Sequence, residues 1–146
     1  MNLILRILHN LTQVYPLHTM VVHFPIALTG AALFFILLAL WRCSEILEQV
    51  AFANLSLAAA STIVAAAFGI RDNLVSFAGN APNHTAKIIL AFILFIVTTA
   101  TAVVRWKKEG IFQDKATRTV YVAAYSISFV IAAVLGFLGG IITYGF

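Results

Sequence analysis

The sequence predicts an all-α membrane protein, a bundle of four transmembrane helices preceded by a short amphipathic helix at the interface. Of its 146 residues, 62% are apolar and only 10% charged, where a soluble domain carries about 25% charged residues. The apolar residues also gather into charge-free runs, from Phe24 to Trp41, Gln49 to Ile70, Ile88 to Val104 and Thr119 to Phe146. Lipid offers no partner to exposed backbone groups, and period-two alternation is absent, so these runs are expected as helices rather than strands.

About 20 apolar residues cross a hydrocarbon core of about 30 Å. The third run reaches that length by borrowing the turn from His84 to Lys87, and the fourth is long enough to tilt or emerge. Residues 1–15 form a separate segment, in which Asn2, Arg6, His9 and Gln13 recur at helical spacing among Leu and Ile. That pattern predicts an amphipathic helix lying in the interface or against a partner subunit. Residues 16–146 then form the transmembrane domain. No signal-peptide cleavage site is expected, and the single cysteine, Cys43, excludes an internal disulfide.

Basic residues set the expected orientation. Arg42, Arg105, Lys107, Lys108, Lys115 and Arg118 fall on one side of the four spans, and Arg6, Arg71 and Lys87 on the other. The richer side is expected to be cytoplasmic, with Trp41 and Trp106 as interfacial anchors and both termini outside. A bacterial inner membrane or a thylakoid-type membrane fits this topology. The lipid bilayer is the first partner implied. Nucleic acid is not, because the basic residues lack interleaved stacking platforms.

Small residues line the second span (Ala58, Ala59, Ala60, Ser61, Ala65, Ala66, Ala67, Gly69), and Gly136, Gly139 and Gly140 close the fourth. Such faces allow close helix approach, within the bundle, in a homodimer, or against a flat cofactor. Tyr121, Tyr125 and Phe129 make an aromatic stripe whose plainer reading is packing.

Ionisable groups at the edge of a membrane span invite a functional reading. His18, His23, Arg71, Asp72, His84 and Lys87 all map to the outer end of the bundle. Pro16 is expected to open the first helix and Pro25 to kink it near Val21. His18 and His23 are five residues apart, about 140° around a regular helix, so one of them is expected to face inward. His23 and His84 begin the two odd-numbered spans and form the favoured pair of axial ligands for a b-type haem, with His18 as substitute. Asp72 is expected to orient an imidazole, and Arg71 or Lys87 to meet a haem propionate. Copper or zinc on His18, His23 and His84 is the alternative ligand. The plainer reading is that these histidines cap helices or pair with Asp72. There is no HExxH, nucleophile elbow, P-loop or CxxCH, so no hydrolytic activity or covalent haem is expected.

Four stretches resemble a bacterial family of four-span membrane proteins, domain of unknown function 2231. They are Leu17-His-Thr-Met-Val-Val-His-Phe-Pro-Ile-Ala-Leu, Gly69-Ile-Arg-Asp72, His84, and Gly136-Phe-Leu-Gly-Gly-Ile-Ile-Thr-Tyr144-Gly. Thr19 stands where the family commonly has proline. Some relatives are joined to Rieske or cytochrome-like domains, so the resemblance implies redox proteins as neighbours. Together these readings lead to a b-type-cytochrome-like or cofactor-carrying electron-transfer subunit. The alternative is a non-catalytic accessory subunit of a respiratory or photosynthetic membrane complex.

Overall fold

The computed structural model describes Ile4 and residues 17–144. The amphipathic helix expected over 1–15, with His9, and the helix start expected at Pro16 lie outside the described residues, Ile4 apart. The described chain is helical: α1 (Leu17–Val21), α2 (His23–Arg42), α3 (Glu45–Phe77), α4 (His84–Lys107), a 3-10 turn (Glu109–Phe112) and α5 (Lys115–Tyr144). Helices α2 to α5 are the four long and apolar enough to cross a membrane. Each packs on its neighbour in sequence, and α5 returns to α2 to close the ring, so α2 and α4 occupy diagonal corners.

Pro25 loosens the first helix next to Val21, as expected. In a continuous helix its ring would clash with the Val21 carbonyl and leave that carbonyl without a donor. The interruption is confined to Val22, which keeps right-handed helical dihedrals (φ −62°, ψ −23°) and donates to the His18 carbonyl at 2.8 Å, before α2 begins at His23. Pro25 thereby falls in a first turn, where a missing N–H costs nothing. The short α1 packs against α3.

The loops explain the remaining boundaries. Ser44 accepts the Leu47 N–H at 3.4 Å and starts α3, with Glu45 and Glu48 in its positively polarised first turn. At the far end Ala78 (φ 48°) and Gly79 (φ 85°) turn the chain. Asn73 staples that turn, donating to the Gly79 carbonyl at 3.3 Å and accepting the Ala81 N–H at 2.9 Å. This staple fixes where α4 begins, and so where His84 sits. Asp114 starts α5 by accepting the Ala116 N–H at 3.2 Å and the Thr117 hydroxyl at 3.1 Å.

The core is built from small and hydroxylated residues. Thr29, Thr62, Thr98 and Ser128 are buried on α2, α3, α4 and α5 respectively. Each donates to the carbonyl four residues earlier in its own helix, at 2.7 to 2.8 Å. Their hydroxyls are therefore satisfied without a cross-helix partner, as a lipid-immersed chain requires, and their small volume lets the helices close up. Gly136 serves the same end, since a Cβ there would lie 2.9 Å from Ile26 Cδ1. At the Glu48 end, Ile36, Leu55, Ile111, Phe112, Tyr121 and Tyr125 belong to one larger apolar cluster.

Candidate functional site

At the end of the bundle carrying the histidines, α1 lies on α3. The His18 backbone N–H donates to Asp72 Oδ2 at 2.9 Å, and the other Asp72 oxygen accepts from Arg71 Nη1 at 2.6 Å. Both carboxylate oxygens are thus engaged, and the residue is buried. The His18 ring passes over Gly69, where a Cβ would meet Cε1 and Nδ1 at 3.1 Å. Here the small residue makes room for an imidazole of the same chain.

His18 Nδ1 lies 2.9 Å from the Ala65 carbonyl. A carbonyl only accepts, so Nδ1 carries the proton and Nε2 keeps its lone pair. Asp72 was expected to orient an imidazole. Instead it holds the His18 backbone, and the Ala65 carbonyl orients the ring. Burial holds the His18 imidazole below its ordinary pKa, against the Ala65 hydrogen bond and with help from the nearby Lys87 charge.

His84 repeats the arrangement on α4. Its Nδ1 lies 2.9 Å from the Ala81 carbonyl, so this ring too has its proton on Nδ1. Its Nε2 accepts from the Thr85 hydroxyl at 3.3 Å, at an exposed contact. His23 behaves differently. It is exposed on α2, which lies diagonal to the α4 that carries His84. Of the two histidines on the first segment, His18 is the one that turns inward. Among the described residues no three His, Cys, Asp or Glu side chains converge as a metal-ion site.

The opposite end holds a constellation that the sequence reading missed. Glu48 on α3, 1% exposed, accepts from Arg105 Nε at 2.7 Å and Nη2 at 2.8 Å, a bidentate pair. The Tyr121 hydroxyl donates to Glu48 Oε1 at 2.7 Å and lies 2.8 Å from the Tyr125 hydroxyl. Because the Tyr121 proton is committed to Glu48, Tyr125 is the donor within the tyrosine pair. The aromatic stripe is packing, as its plainer reading has it, with rings edge-on at 5.0 Å, but it also carries this hydrogen-bonded chain. A hollow of about 440 Å³ opens beside it, bordered by Glu45, Gln49, Glu109 and Gln113. One signal for Glu48 was present in the sequence. It stands three residues before Ala51 and seven before Leu55, in phase with the apolar seam of α3.

A family model described as "Predicted membrane protein (DUF2231)" matches residues 14–146. No curated protein and no solved structure matches the chain.

Proposed function

Since the chain belongs to the domain of unknown function 2231 family of predicted membrane proteins, its chemistry rests on its own side chains, and we propose that it is a membrane-embedded electron-transfer subunit ligating a b-type haem through His18 and His84. The observation that carries this reading is the shared tautomer. In both residues Nδ1–H is spent on a backbone carbonyl, at 2.9 Å each, and Nε2 is the nitrogen that would bind, in His84 by displacing its exposed 3.3 Å contact with the Thr85 hydroxyl. A carbonyl partner on the far nitrogen is the arrangement that fixes a metal-ligating imidazole and raises its basicity. The donor set therefore fits haem iron, which supplies a one-electron couple when bound.

The chain's own contribution is positional. Ala65 and Gly69 hold the His18 ring in place, the Asn73 staple holds the start of α4, and burial keeps His18 in the neutral form that can ligate. His23, on the exposed face, has no part in this site. On this reading the site lies at the face poorer in basic residues, the outer one, of a bacterial inner or thylakoid-type membrane, with redox proteins as its partners.

Purified protein supplied with haem in mild detergent should develop a Soret band. His18→Ala and His84→Ala should each abolish it, and His23→Ala should retain it. A colourless wild type, or three alanine variants that behave alike, would sink the assignment. A non-catalytic accessory subunit is the second reading, favoured by the satisfied ion pairs that tie down both ends of α3. It predicts comigration with a larger complex on native gels whether or not haem is bound, and a stable isolated monomer would count against it.

A further inference from the structure

We infer that the Lys87 ammonium is an oxyanion subsite, taking a carboxylate or phosphate oxygen of a ligand that lies over the histidine end of the bundle. Two arginines set at the ends of the spans have their charge met inside the chain, Arg71 by Asp72 at 2.6 Å and Arg105 by Glu48 at 2.7 Å. Lys87 is half-buried as well, yet among the described residues no carboxylate lies within ion-pairing distance of it. Asp72, a carboxylate at the same end of the bundle, has one oxygen on Arg71 and the other on the His18 backbone.

The surroundings of Lys87 add to the demand for an anion. It lies in the first turn of α4, which contains no acidic residue, and a cation there opposes the helix dipole. Its charge also acts on His18, the imidazole assigned above, at the same end of the bundle. An anion at Lys87 would answer all of these at once. The carboxylate case rests on the haem assignment, with a propionate as the anion. The phosphate case, an anionic lipid headgroup, does not.

The test compares wild type with Lys87→Gln and Lys87→Arg, first checked for equal thermal stability in detergent. In one arm each protein is titrated with haem and with haem dimethyl ester, whose propionates are uncharged. A propionate on Lys87 predicts that wild type and Lys87→Arg prefer free haem by about ten- to a hundredfold, the worth of a charge-assisted hydrogen bond, and that Lys87→Gln loses the preference. In the other arm the proteins, without haem, are drawn from vesicles of phosphatidylglycerol and phosphatidylcholine, and retained lipid is counted by native mass spectrometry. A headgroup on Lys87 predicts phosphatidylglycerol retained by wild type and lost from Lys87→Gln. If wild type binds no haem, the haem assignment fails while the lipid arm still decides this inference. Lys87→Gln matching wild type in both arms overturns it.

Discussion

Glu48 and Asp72 stand 24 residues apart on the bundle-facing seam of α3, one at each end, and each is neutralised by an arginine. At 1.5 Å per residue the separation is about 36 Å along the helix, slightly more than a hydrocarbon core of about 30 Å. The two carboxylates therefore bracket the lipid-embedded part of the seam. Between them the seven-residue repeat runs through Ala51, Leu55, Ala58, Thr62, Ala65 and Gly69 without a charge. Each end is also where a second element is tied to α3: α4 and α5 at Glu48, α1 at Asp72.

Breaking the Glu48 pair from one side should be costly. Glu48→Ala leaves Arg105, whose side chain is only 15% exposed, without its carboxylate, and loss of one partner from a buried pair costs about 3–5 kcal/mol. Replacing both, as Glu48→Leu with Arg105→Met, should recover most of that loss, because the desolvation penalty of both charges disappears with them. Thermal denaturation in a mild detergent measures the pair of effects. A single variant within about 1 kcal/mol of wild type would mean that water already reaches the pair.

The two tyrosines should not be equivalent. Tyr121→Phe removes the donor to Glu48 and also the acceptor of the Tyr125 hydroxyl, so a charge-assisted bond worth about 1.5–3 kcal/mol is lost and a buried donor is orphaned. Tyr125→Phe removes only the neutral bond, worth about 0.5–1.5 kcal/mol. Equal destabilisation of the two variants in the same denaturation experiment would contradict the direction assigned to the chain.

What could be read from the sequence divides along the range of the interactions. The four spans follow from composition, and His84 at the head of α4 follows from a local charge-free run and its preceding turn. Pro25 was legible as a disturbance near Val21, but the surface that α1 packs on was not, because Ala65 and Gly69 supply it from 47 or more residues away. The Glu48 network was illegible for the same reason: its partners lie 57 and 73 residues along the chain. Arg105 counted as one more basic residue of a loop, and nothing local marks it as turned inward. His23 shows the converse. Its place in a motif drew attention, but its position on the helix leaves it exposed.

Gly69→Ala tests whether the α1 contact is as tight as its geometry indicates. Alanine in place of glycine should favour the helix itself by about 1 kcal/mol. The added Cβ, however, would lie 3.1 Å from two atoms of the His18 ring, and that ring is held by Ala65 and cannot retreat without losing its hydrogen bond. The expected result is a bundle at least as stable as wild type, from which α1 has come loose. Amide exchange should speed up over residues 17–21 and stay unchanged in the middle of α3. Unchanged protection at both places would show that the imidazole shifts at no cost, and the proposed ligand geometry would lose its anchor.

The start of α5 should depend on pH through Asp114. Its carboxylate accepts the Ala116 N–H and the Thr117 hydroxyl, and these bonds, the backbone one foremost, hold its pKa below the usual 3.8. A carboxyl with a depressed folded pKa contributes stability above its unfolded value and loses it as pH falls through the folded one. The cap is therefore complete at neutral pH and fails only under acid conditions below that value. Because the group is fully exposed, the effect should stay local: faster amide exchange over the first turn of α5, with the Glu48 network undisturbed. Asp114→Ala should show that fraying already at neutral pH and no further pH dependence below 3.8. Asp114→Asn, which keeps an acceptor oxygen for the Ala116 N–H, should fall between the two. If the variant and wild type fray together at neutral pH, the cap contributes nothing and the boundary of α5 is set by Ile111 and Phe112 packing under it instead.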